Sequence, residues 1–97
     1  MMEKRTLYFG PPHGVYSPES FDNFAHKIFE HLRNIGSASP CNVERNGEII
    51  EYHFPEAGIG LRYERVSHSR CMVNLLGTRE KELEAITLFV FEEDNRQ

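Results

Sequence analysis

Cysteine, positive charge and long apolar runs are all scarce in this chain of 97 residues. Two cysteines, Cys41 and Cys71, do not make a disulfide framework, which favours free thiols. Eleven Lys and Arg against fifteen Asp and Glu give a net charge of −4, which argues against nucleic-acid and anionic-membrane partners. No run approaches the roughly 18 apolar residues of a membrane span, and the first residues contain no apolar segment of a signal peptide. We therefore expect a cytoplasmic protein.

The length allows one domain, covering residues 1–97, with one modest core. Its clearest element is an amphipathic helix over residues 18–35. Ser17 is a good N-cap, Pro18 suits the first helical position, and Gly36 suits the left-handed residue after the helix. Apolar residues at helical spacing form one face: Phe21, Phe24, Ala25, Ile28, Phe29, Leu32 and Ile35.

Short segments with a period of two surround this helix and predict an antiparallel meander. Residues 4–9 precede it, and the dipeptide Asn46-Gly47 predicts a two-residue hairpin after it. Further strands are expected at 59–66, 70–76 and 83–93. The fold class is therefore α+β, with one long N-terminal amphipathic helix packed on an antiparallel β-meander of four to six strands. Good helix formers leave residues 79–85 open between helix and strand.

Alternation assigns the predicted strand residues to two faces. The inner layer faces the helix and comprises Ile50, Tyr52, Phe54, Ile59, Leu61, Tyr63, Cys71, Val73, Leu75, Ile86, Leu88 and Val90. The outer face is mixed, with charged side chains beside two phenylalanines, as in many protein interfaces. Its residues are Glu51, His53, Arg62, Glu64, Met72, Asn74, Phe89 and Phe91. Either a partner protein or a terminal segment of the chain is expected to cover it.

No catalytic, metal or cofactor motif is visible. The sequence has no CxxC or HExxH pattern, and His26 with Glu30 reads as a surface pair on the helix. We therefore expect no enzyme activity and no cofactor or metal. One alternative is a small enzyme or small-molecule-binding domain with a site between helix and sheet, using His13, Tyr16, His53 or Cys41. Another alternative is a homodimeric structural module that pairs sheet faces or edges.

The segments EIIEYHFPEAGIGLRYERV and LEAITLFVF, within residues 48–91, resemble strand patterns of small bacterial immunity proteins of the contact-dependent inhibition type. This resemblance implies a small acidic cytosolic protein that binds and neutralises a cognate toxin domain, commonly a basic nuclease. It implies no individual site residues, because such proteins diverge where they contact their toxins.

Taken together, these patterns predict a protein–protein inhibitor, monomeric or homodimeric, whose partner is a toxin domain. Acidic charge would steer it onto a basic surface, and buried aromatic side chains would slow its release. The predicted contact residues are Glu51, His53, Arg62, Glu64, Phe89 and Phe91, with an acidic rim of Glu80, Glu82 and Glu84.

Overall fold

The described part of the chain contains five strands and two helices in a computed structural model. The structure describes the backbone of residues 3–9, 17–68 and 70–94, and the side chains of residues 17–68 and 71–89. The elements in chain order are β1 (Glu3–Phe9), α1 (Pro18–Asn34), β2 (Asn42–Asn46), β3 (Ile49–Phe54), β4 (Ile59–Ser67), β5 (Arg70–Gly77) and α2 (Glu80–Asp94).

The strands form one antiparallel sheet in the order β1-β5-β4-β3-β2. The α+β class and the antiparallel sheet are as predicted. The predicted hairpin joins β2 to β3, but Asn46 is still a strand residue and pairs with Ile49. The two-residue loop is therefore Gly47-Glu48, one position later than the Asn46-Gly47 dipeptide suggested. This shift determines which β2 side chains oppose those of β3.

The predicted N-terminal helix is confirmed as α1. The Ser17 hydroxyl accepts a hydrogen bond from the backbone N–H of Ser20, and the Ser20 hydroxyl accepts one from the N–H of Ser17, which makes a reciprocal capping box. Gly36 follows the helix with a φ of 83°, the left-handed conformation expected of it. The buried residues of the helix match the predicted apolar face: Phe21, Phe24, Ala25, Ile28 and Leu32.

The predicted last strand, residues 83–93, is wrong: it lies within α2. A dense apolar run fits both periods, because Ile86, Leu88 and Val90 alternate while Leu83 and Ile86 also share a helix face. Glu80 and Glu82 lie in the first turn, where the helix dipole favours negative charge, and packing of the segment on β5 and α1 selects the helix. Residues 79–85, left open between helix and strand, are therefore helical from Glu80 onwards.

Both helices pack on the same face of the sheet. Helix α1 contacts β3 and β4, whereas α2 contacts β5 and α1. Leu83 of α2 lies directly over Gly77, the last residue of β5, where the missing side chain leaves room for it. The buried apolar side chains of the strands all belong to the predicted inner layer: Ile50, Phe54, Ile59, Leu61, Tyr63, Cys71, Val73 and Leu75. In α2, Ile86 is buried but Leu88 is 58% exposed, so the predicted sheet layer does not extend to them.

Candidate functional site

The opposite face of the sheet, here called the outer face, has neither helix on it. Among the described side chains it carries three acids and one arginine: Glu44, Glu51, Glu64 and Arg62. His53, Met72 and Leu76 lie beside them, each partly exposed. The predicted contact residues Glu51, His53, Arg62 and Glu64 are therefore brought together on one surface.

Glu51 is the centre of this surface. Its Oε2 lies 3.6 Å from Nε of Arg62, the residue directly opposite it on β4, and its Oε1 lies 3.6 Å from Nε2 of His53. The three side chains are between 31% and 43% exposed. Each separation is longer than a hydrogen bond, so the group is an electrostatic cluster and not a locked network. Nε of Arg62 is shielded from solvent and has no hydrogen-bond partner among the described residues.

Glu44 is a member of this cluster that the sequence analysis missed. It lies on β2 directly opposite Glu51, and its carboxylate, one Glu51 oxygen and one His53 ring nitrogen lie within 4.8 Å of one another. Like charges placed directly opposite on neighbouring strands repel each other. The register of the hairpin creates this pair, and a correct placement of the loop at Gly47-Glu48 would have revealed it.

The centre of the outer face also holds a buried amide. Asn74 of β5 lies directly opposite Arg62 and is only 4% exposed. It lies on an interior strand, between β4 and β1, and neither helix covers it. Exposure on the outer face therefore increases from β5, where the Asn74 amide is buried, to β2, where the Glu44 carboxylate is exposed.

The remaining predicted contact residues lie elsewhere, because they belong to α2 and not to a strand. Phe89 stacks on His31 of α1 with 4.3 Å between ring centres, so it serves the contact between the helices. The Phe91 side chain lies outside the described residues. Glu82, predicted on the acidic rim, is buried and accepts a hydrogen bond of 3.2 Å from the Ser37 hydroxyl. Glu80 and Glu84 are exposed, on the helix side of the molecule.

The exposed side of α2 is shallow and not a binding cleft. A depression of about 480 Å³ is lined by side chains of this one helix: Glu80, Lys81, Glu84, Ala85 and Leu88. It contains none of the residues proposed for a small-molecule site.

A second polar cluster lies on the helix side, at the edge of the sheet. The Tyr52 hydroxyl donates a 2.6 Å hydrogen bond to Oδ1 of Asp22, and Nη2 of Arg45 donates to both oxygens of the same carboxylate at 3.1 and 3.2 Å. Burial, followed by the hydrogen bond to Asp22, raises the pKa of Tyr52 to about 12. Neutral Tyr52 therefore acts as a hydrogen-bond donor that attaches α1 to β3.

The residues of the small-molecule alternative do not line one cleft where the structure describes them. Cys41 packs against the core, whereas His53 lies on the outer face. His13 and Tyr16 lie outside the described residues. Burial raises the pKa of the Cys41 thiol, which disfavours the reactive thiolate.

The other thiol belongs to the core. Cys71 is fully buried, and its thiol shares a 3.3 Å hydrogen bond with the Tyr63 hydroxyl. Burial, followed by this hydrogen bond, raises the pKa of Tyr63 to about 12. The pair satisfies two polar groups inside an apolar layer and thus has a structural role.

Comparison with known proteins yields no relative: no family model, no curated protein and no solved structure matches the chain. Neither helix, within the described part of the chain, is long and apolar enough to cross a membrane.

Proposed function

We propose that this protein is an inhibitor that binds a basic toxin domain through the outer face of its sheet, as a cytoplasmic immunity protein would. The observation that carries the proposal is the placement of both helices on one side, so that neither helix covers the charged and partly apolar opposite face of the sheet. Among the described side chains of that face, three carboxylates against one guanidinium give the acidic character needed to bind a positively charged surface.

The arrangement of the outer face suits recognition by charge. Glu51 and Arg62 oppose each other on two strands of a hydrogen-bonded ladder, so the backbone that carries them needs no ordering when a partner binds. Met72 and Leu76 supply apolar area next to the charges. Such a surface combines electrostatic steering, which accelerates association, with apolar contact, which slows dissociation.

The experiment is inhibition of a basic toxin domain, sought among the genes beside this one, with two variants of equal charge change. Glu51→Gln with Glu64→Gln neutralises two carboxylates of the outer face, and Glu80→Gln with Glu84→Gln neutralises two on α2. We expect the first variant to bind at least about tenfold more weakly, a loss of about 1.4 kcal/mol, and the second to bind as the unchanged protein does.

Two results would contradict this assignment. A loss confined to the α2 variant would move the interface to the helix side of the molecule. Failure of the unchanged protein to bind or inhibit the toxin domain would remove the inhibitor function altogether.

One observation favours a second candidate, a homodimer formed by pairing sheet edges. Strand β2 pairs only with β3, and all five of its residues are exposed, including Val43 at 43%. An unpaired edge is a template for another strand. Sedimentation over a range of concentrations distinguishes the two candidates, because edge pairing predicts a dimer in the absence of any partner protein.

A further inference from the structure

The carboxylates of Glu44 and Glu51 and the imidazole of His53 bring three metal-ligating groups to one place on the outer face. Glu44 and Glu51 are directly opposite in the β2–β3 ladder, and His53 lies two residues along β3, which puts its side chain on the same face. The paired strands fix the three Cα positions, so only side-chain rotations remain to complete a site.

We infer that these three residues bind a divalent transition-metal ion, for which Zn²⁺ is the representative. Zinc accepts imidazole nitrogen and carboxylate oxygen at about 2.0–2.2 Å, and sites with three protein ligands keep a fourth position for water or another ligand. Mg²⁺ and Ca²⁺ favour oxygen ligands, so the imidazole distinguishes this site from one for those ions.

The separations on the outer face suit such an ion. Two ligands of a tetrahedral zinc lie about 3.3 Å apart, given bonds of about 2 Å. Oε1 of Glu51 and Nε2 of His53 are 3.6 Å apart, too far for a hydrogen bond but close to this ligand separation. The Glu44 carboxylate completes the set within 4.8 Å and is exposed, so it can rotate freely towards the other two.

Charge provides a second, independent argument. Glu44 makes no ion pair or hydrogen bond through its carboxylate among the described residues, and its cross-strand neighbour is another carboxylate. Arg45, the next residue, is directed to Asp22 on the other side of the sheet. A divalent cation placed between the two glutamates would convert their repulsion into attraction.

Arg62 does not occupy the same position. Its Nε lies beside Oε2 of Glu51, whereas the His53 nitrogen lies beside Oε1. The two oxygens of Glu51 thus face different partners. Arg62 therefore balances the charge of one Glu51 oxygen and leaves the other oxygen for the metal.

The test is calorimetric titration of the reduced full chain with Zn²⁺ alone. We expect one ion per chain, and at least about tenfold weaker binding in both Glu44→Gln and His53→Gln. His26→Gln is the matched control, because His26 lies 3.9 Å from Glu30 on α1 and resembles the His53–Glu51 pair without a third ligand. Cys41→Ser controls for the half-buried thiol. Both control variants should bind Zn²⁺ as the unchanged chain does.

Several results would overturn the inference: no stoichiometric binding, undiminished binding in Glu44→Gln and His53→Gln, or loss in either control. Equal competition by Mg²⁺ would also overturn it, because the imidazole would then have no part. The substituted side chains are at least partly exposed, so circular dichroism should show all variants folded. The titration needs no partner protein, so its failure would leave the proposed inhibitor function standing, and loss of that function would leave the metal site standing.

Discussion

Asp22 of α1 and Tyr52 of β3 are joined by the shortest side-chain hydrogen bond described in this structure, 2.6 Å between the Tyr52 hydroxyl and Oδ1 of Asp22. The Tyr52 ring also meets Phe21 edge-to-face with 5.5 Å between centres. One side chain thus contributes both a polar and an aromatic contact between helix and sheet.

Tyr52→Phe isolates the polar contact, because it keeps the ring and removes only the hydroxyl. We expect the free energy of unfolding to fall by about 1 kcal/mol, the usual contribution of one hydrogen bond. Asp22 keeps its bonds from Arg45, so its carboxylate is not left unpaired. Urea unfolding measures the loss, and an unchanged midpoint would show that this hydrogen bond adds nothing to the stability of the folded state.

Stability should fall at alkaline pH. Tyr52 and Tyr63 have pKa values of about 12 in the folded chain and of about 10 when unfolded. Their protonated forms favour the folded state fully below pH about 10, and this contribution is lost as the pH rises through 10 towards 12. The double variant Tyr52→Phe with Tyr63→Phe should show a flatter decline in unfolding midpoint over that interval. Equal slopes for both proteins would contradict the assignment.

Helix α2 should depend on Leu83 and not on Leu88. Leu83 is 1% exposed and packs over Gly77, so Leu83→Ala should lower the free energy of unfolding by about 3 kcal/mol through lost burial and a cavity. Leu88 is 58% exposed, and Leu88→Ala should change it by less than about 0.5 kcal/mol. Comparable losses in the two variants, measured by urea unfolding, would show that α2 packs through a different face.

Gly58 should tolerate substitution less well than Gly36. Both have a positive φ, 67° and 83°, which costs an alanine about 1 kcal/mol. A Cβ on Gly58 would also collide with Oγ1 of Thr78, whereas one on Gly36 would meet open space. We expect Gly58→Ala to cost about 2 kcal/mol or more, and Gly36→Ala about half as much. Thermal unfolding of the two variants checks the order, and equal losses would mean that Thr78 rotates away at no cost.

Local rules were sufficient for α1 and for the inner layer of the sheet. Three local patterns are consistent with one another: the cap at Ser17, the apolar face of the helix and the alternation along β3 to β5. No competing pattern overlaps with them. They were insufficient where two patterns overlapped. The run around Ile86 satisfies both a strand and a helix, and contact with Gly77 and α1 selects the helix.

Part of the candidate site could be predicted from the sequence. The remaining part depends on the register of the β2–β3 hairpin. Glu51, His53, Arg62 and Glu64 share a face by simple alternation, which a sequence reveals. Glu44 lies on the same face in either register, but it is directly opposite Glu51 only because the loop is Gly47-Glu48. A loop at Asn46-Gly47 would have set Asn42 opposite Glu51 instead. The acid pair that motivates the metal inference therefore depends on a displacement of one residue in a turn.

The low burial of strand β2 affects how easily this strand opens. It has no buried residue, and besides its ladder with β3 it is tied to the helix by the Arg45–Asp22 bridge. Segments with so little burial open locally at a small fraction of the global unfolding cost. Amide exchange should therefore be fast along β2 while α1 stays protected, and each opening would carry Glu44 away from Glu51. An ion that bridges these two glutamates would hold β2 against β3. It would slow amide exchange in this strand and leave the exchange rates of the other elements unchanged.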